Sequence, residues 1–106
     1  MNKLHFDDPY WSVEEMSPKM KTVLKKELLT EITKDHILHN RQWIVIARRM
    51  DNDDVIIELS TGEIAVVHLT WSCKPECEGF PRTTIFRDKN EFRNKEMNSV
   101  ILNHNS

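Results

Sequence analysis

Between Trp43 and Trp71 the chain carries three short runs rich in β-branched and aromatic residues, parted by only two turn-forming stretches. That spacing leaves few folds open. Trp43-Ile44-Val45-Ile46-Ala47-Arg48-Arg49 reads as a strand, because branched side chains suit a pleated, half-buried surface. Asp51-Asn52-Asp53 reads as a turn, since Asp and Asn side chains bond their own backbone there. Val55-Ile56-Ile57-Glu58-Leu59 is a second strand, Ser60-Thr61-Gly62 a tight turn with Gly62 suited to positive φ, and Glu63 to Trp71 a third strand. Parallel neighbours need a crossover of a dozen or more residues, so these connections dictate an antiparallel meander. The third strand is apolar on both sides, with Ala65, Val67, Leu69 and Trp71 alternating against Ile64, Val66, His68 and Thr70. Such a strand has both faces covered. One cover is an N-terminal helix, and the other is a second helix or the wall of a cleft.

That helix begins at Ser17-Pro18, a side-chain cap followed by proline at the first helical position, and runs to about Lys34. Met20, Val23, Leu24, Leu28 and Ile32 follow helical spacing; Lys21, Lys25, Lys26, Glu27 and Glu31 form its wet side, and Leu29 falls off the stripe. Ser12 with Glu15 is a weaker start signal. Residues 72–81 are a loop rich in chain breakers, Thr83-Thr84-Ile85-Phe86 a fourth strand, and Asp88 with Glu91 opens a short helix through Met97 that buries Phe92. The expected fold class is α+β: a three-stranded meander plus a fourth strand, an amphipathic helix before it and a short helix after it. The 106 residues allow one core and hence one domain, with an arm (1–16), a folded core (17–97) and a polar tail (98–106).

The chemistry in the sequence is sparse. Cys73 and Cys77 with His68 are the only metal-like set, one histidine and one pair where zinc needs four ligands or three plus water, so no metal or cofactor is expected. Two loop thiols and a sheet histidine explain them better. His68 suits general-base work, with Glu58 or Glu76 to orient it, but a single histidine on an apolar strand is usually a hydrogen-bonded structural residue. With 2 glycines in the chain there is no loop to cradle phosphate. Arg48-Arg49 is followed by Asp51, Asp53 and Asp54, which repel nucleic-acid phosphates, and the formal net charge is −2. No apolar run approaches a membrane span, and acids at Asp7-Asp8 stand where a signal peptide needs apolar residues. The expectation is therefore a cytoplasmic chain with reduced thiols, free of membrane and direct nucleic-acid contact.

Asp53-Asp54-Val55, Gly62, Ala65-Val66-Val67-His68-Leu69-Thr70-Trp71-Ser72, Glu76 and Pro81-Arg82-Thr83 together resemble a family of small, mostly uncharacterised bacterial proteins. Its members share an Asp-Asp-Val, a Val-His-Leu-Thr-Trp-Ser and a Pro-x-Thr segment ahead of a final Phe-containing helix. The resemblance covers residues 36 to 97, and Cys73 departs from the small residue expected there. The family brings no established catalytic residues. Proteins of this size and make-up resemble the immunity proteins of toxin systems such as contact-dependent growth inhibition. What that implies is a non-enzymatic chain that neutralises a protein toxin, a nuclease domain, by covering its active site. Asp51, Asp53, Asp54, Glu76 and Glu78 are the acids available to meet a basic site, with Trp71 as aromatic anchor. The competing readings are a small enzyme using His68 and a cytoplasmic interaction module.

Overall fold

The computed structural model describes residues 4–33, 36–71 and 82–104. An antiparallel sheet of five strands in sequence order forms its centre. These are β1 (Tyr10–Ser12), β2 (Trp43–Arg49), β3 (Asp54–Leu59), β4 (Ile64–His68) and β5 (Arg82–Phe86). The fold is α+β with the expected meander at its heart, but four strands understate the sheet. The extra strand, β1, comes from the segment read as an arm and pairs Tyr10↔Arg49, Trp11↔Arg48 and Ser12↔Ala47 on the outer edge of β2. Three residues are too few to show a period of two, so the pairing left no signature. The loop at 72–81, and with it Cys73, Cys77, Glu76 and Glu78, lies outside the described residues.

The β3–β4 turn is built as its sequence demands. Gly62 sits at φ +94°, and the Leu59 amide donates to the Glu63 carbonyl at 2.9 Å. Between β2 and β3 the register runs Trp43↔Leu59 to Val45↔Ile57 and resumes at Ala47↔Ile56, so Ile46 is an extra residue, a bulge. β4 ends at His68 rather than continuing to Trp71. The Leu69 amide still donates to the Asp53 carbonyl at 3.0 Å, but Trp71 turns away at φ +57°.

Both faces of the sheet are covered, as the apolar β4 requires. On the first face, Leu24 and Leu28 of α1 (Pro18–Glu31) pack on Val55, Ile57, Leu59, Ala65, Val67 and Leu69. The helix starts as expected: the Ser17 hydroxyl accepts from the Met20 amide at 3.1 Å, with Pro18 next. Its stripe differs from the expected one. Val23 is 41% exposed, while Glu27 and Glu31, assigned to the wet side, are 6% and 0% exposed. The helix stops at Glu31, short of Lys34, which lies outside the described residues.

On the second face, Ile56, Ile64, Val66 and Phe86 meet Tyr10, Phe92 and Met97. Phe92 stands edge-on to Phe86 at 5.5 Å between ring centres and to Tyr10 at 6.2 Å. Its helix, α2 (Lys89–Phe92), opens at Asp88, whose carboxylate accepts from the Glu91 amide at 2.9 Å. It runs through a π-helical turn (Arg93–Met97) into α3 (Asn98–His104). The segment read as a tail is thus largely helical, and Val100 and Ile101 pack against the second cluster.

Leu69 and Phe92 are each at most 1% exposed, so Leu69→Ala should cost about 2–4 kcal/mol and Phe92→Ala about 3–5 kcal/mol in denaturant melts. Leu29, 60% exposed on the same helix that covers the first face, should change stability by less than about 0.5 kcal/mol when truncated.

Candidate functional site

The turn between β2 and β3 and the chain leaving β4 lie at the same end of the sheet, and they gather most of the expected contact residues. Asp53 is exposed, and its carboxylate accepts from the Trp71 indole nitrogen at 3.2 Å. Asp53 and Trp71, 18 residues apart in the chain, thus share one surface. Trp71 is half-buried against the first cluster, which fixes one side of the ring and leaves the indole edge to Asp53.

Trp71 is held by a group that the sequence reading set on the wrong side of α1. The Glu31 carboxylate accepts from the Thr70 amide through one oxygen and from the Trp71 amide through the other, each at 2.9 Å. A bidentate carboxylate takes two consecutive amides out of the strand ladder, and this is why β4 does not run on to Trp71. A tryptophan at positive φ is strained and persists only where its surroundings hold it. Burial pushes the Glu31 carboxyl up from 4.5 to about 7, and a hydrogen bond with the Glu27 side chain pushes the same way; the two amides pull it down. Glu31 is also the last residue of its helix, where the negative end of the macrodipole disfavours a carboxylate. A positional signal did exist: Met20, Leu24, Glu27, Leu28 and Glu31 follow the three- and four-residue spacing of a buried stripe. Residue type concealed it.

Asp51 and Asp54 are not free charges. Arg49 grips Asp51 with Nε–Oδ1 at 2.8 Å and Nη2–Oδ2 at 2.6 Å, and its Nη1 lies 3.7 Å from Asp54. Asp54 is only 15% exposed, and its other oxygen meets His68 Nδ1 at 2.8 Å. His68, half exposed, is therefore oriented by Asp54 and not by the expected Glu58, which stands opposite Ile64 and lies 3.5 Å from Lys89. Glu76 lies outside the described residues, as does Glu78.

Tyr10, Arg49, Asp54, His68 and Arg82 come one from each strand, and the ladder pairs Tyr10 with Arg49, Asp54 with His68 and His68 with Arg82. The Tyr10 hydroxyl and one Glu96 oxygen are buried near this row without a hydrogen-bond partner. Burial pushes both groups up, and the nearby Asp54 charge adds to each. No group of three or more His, Cys, Asp or Glu among the described residues is placed to hold a metal ion. No helix among them is long and apolar enough to cross a membrane.

Tyr10→Phe removes a buried hydroxyl that makes no hydrogen bond and should leave stability unchanged or raise it by about 1 kcal/mol. Glu31→Ala strands two amides and leaves space in the core, and should cost about 2–4 kcal/mol. Thermal or urea melts of both variants check the contrast.

No family model, curated protein or solved structure matches this chain.

Proposed function

We propose that the chain is a binding protein of the immunity type, which neutralises a bacterial toxin, a nuclease domain, by covering its basic active site with the end of the sheet that carries Asp53 and Trp71. The observation that carries the reading is the fixed position of Asp53: its carboxylate is exposed, bonded to the Trp71 indole at 3.2 Å, and in no ion pair among the described residues. A nuclease grips phosphates with Lys and Arg, so an inhibitor that presents a carboxylate gains both steering and pairing. An aromatic ring beside it supplies the apolar anchor that interfaces favour. Holding both in place before contact reduces the ordering cost of binding. Asp51 and Asp54 serve differently from Asp53, since Arg49 already offsets their charge and they shape the turn.

A second reading rests on the 2.8 Å contact between His68 Nδ1 and Asp54. An oriented, half-exposed imidazole is the arrangement of a general base.

Co-expression with the product of the adjacent gene separates the two. The expected outcome is co-purification and rescued growth. Asp53→Lys should slow association, with the effect shrinking as salt rises and the melting temperature unchanged. Absence of both binding and protection, together with substrate turnover that disappears in His68→Ala, would replace the binding reading with the catalytic one.

A further inference from the structure

β1 covers only part of β2. Their ladder ends at Ser12↔Ala47, where the chain of β1 turns into a 3₁₀ segment, Val13–Glu15. Trp43, Ile44, Val45 and Ile46 are thus a stretch of sheet edge with no strand beside it among the described residues. Backbone groups of an antiparallel strand face its two neighbours alternately. The Gln42 carbonyl accepts from the Ser60 amide at 2.9 Å, so Gln42 and Ile44 bond toward β3, while Trp43 and Val45 face outward. Leu59, opposite Trp43, agrees, because its amide donates to Glu63 on the β4 side. Among the described residues, no hydrogen bond reaches the outward amides and carbonyls of Trp43 and Val45. Native edges are commonly blunted with lysine or proline; this one carries neither, and Ile44 is 62% exposed. Beside the edge lies a cleft of about 250 Å³ lined by Leu4, Phe6, Val13, Ile44 and Ile46. Leu4, Phe6 and Ile46 belong with the second cluster, so the cleft opens on the second face. Its polar rim is Glu14 near Ile46 and, opposite Ile44, Glu58 with Lys89 3.5 Å away.

We propose that this edge binds an extended peptide segment of a partner protein, added antiparallel to β2, with an apolar side chain in the cleft and a basic residue at the Glu14 end. Main-chain bonds to Trp43 and Val45 attach the peptide, and the cleft selects its sequence. The peptide residue between the two bonded ones stands opposite Ile44, so its side chain shares the second face and enters the cleft. The residue ahead of the bonded ones lies beside Ile46 and Glu14. The rim sets two carboxylates against one lysine that Glu58 already engages, which favours a cation there. A second copy of the chain does not fit. A two-fold pairing that satisfies both Trp43 and Val45 sets Arg41 of one copy against Ala47 of the other, a place that Ser12 holds. This edge lies at the opposite end of β2 from Arg49 and the acidic turn, so it stands apart from the toxin-binding reading.

The probe is an acetylated, amidated peptide, Lys-Val-Leu-Val-Thr, titrated into the full chain and followed by proton–nitrogen spectra. The Trp43 and Val45 amide signals should shift together. Their hydrogen exchange should slow about tenfold once the peptide stands at about ten times its dissociation constant. N-methylation of either valine removes a bond to the edge and should weaken binding about tenfold. N-methylation of the leucine, whose amide points away from β2, should leave binding intact. Ile44→Thr keeps the strand but strips one wall of the cleft, so it should weaken binding several-fold with the melting temperature unchanged. Changing the peptide's lysine to glutamate should weaken it too, by a margin that shrinks as salt rises. No shift at Trp43 and Val45 with millimolar peptide, or binding that tolerates the methylated valines, would overturn the proposal. So would sedimentation that finds the chain alone dimeric, with the Trp43 and Val45 amides already protected.

Discussion

Everything in this structure follows from a sheet whose inner strands are apolar on both sides. Val55, Ile57, Ala65 and Val67 on one face and Ile56, Ile64 and Val66 on the other are all buried. A two-sided apolar strand cannot face water, so the chain before the meander must close one face and the chain after it the other. That requirement places α1 over the first cluster and the Phe92 helix over the second. It also leaves only the ends of the sheet for polar work. The β2–β3 turn, the exit from β4 and the row of polar side chains behind them share one such end, which is why the candidate contact residues concentrate there.

Within that end the acids divide by role. Arg49 offsets Asp51 and Asp54, leaving Asp53 as the exposed carboxylate of the turn without an ion pair among the described residues. A surface with three acids in four residues therefore presents less charge than its sequence suggests. That end is also tied together, because Asp53, Trp71 and Glu31 link the turn, the strand exit and the helix into one unit.

How legible this was in the sequence depends on whether a feature is periodic or pairwise. The three strands of the meander, Gly62, the Ser17-Pro18 start and the two-sided β4 each follow a local rule, and each stands where that rule puts it, save that β4 ends at His68 and not at Trp71. β1 is too short to establish a period, and its pairing to β2 depends on residues more than 30 positions away. Glu31 is a harder case. Its position on α1 marks it as buried, but a carboxylate is expected outside unless a partner waits for it, and that partner is two backbone amides 39 and 40 residues later. Asp53 and Trp71 were picked out one by one, whereas their contact is a product of where β4 ends.

The bulge at Ile46 has a consequence for the arginine pair. A strand assigns faces by odd and even number, so a single inserted residue reverses the assignment for everything beyond it. Trp43 and Val45 lie on the first face; Ile46 and Ala47 both lie on the second, and the alternation then resumes in the opposite phase. Arg48 consequently turns toward Met20 of α1, and Arg49 toward Asp51 and Asp54. In an unbroken strand the two neighbours would trade places, and the guanidinium that organises the acidic turn would point into the wrong half of the protein. Which arginine meets the acidic turn is thus set by parity, counted from one extra isoleucine.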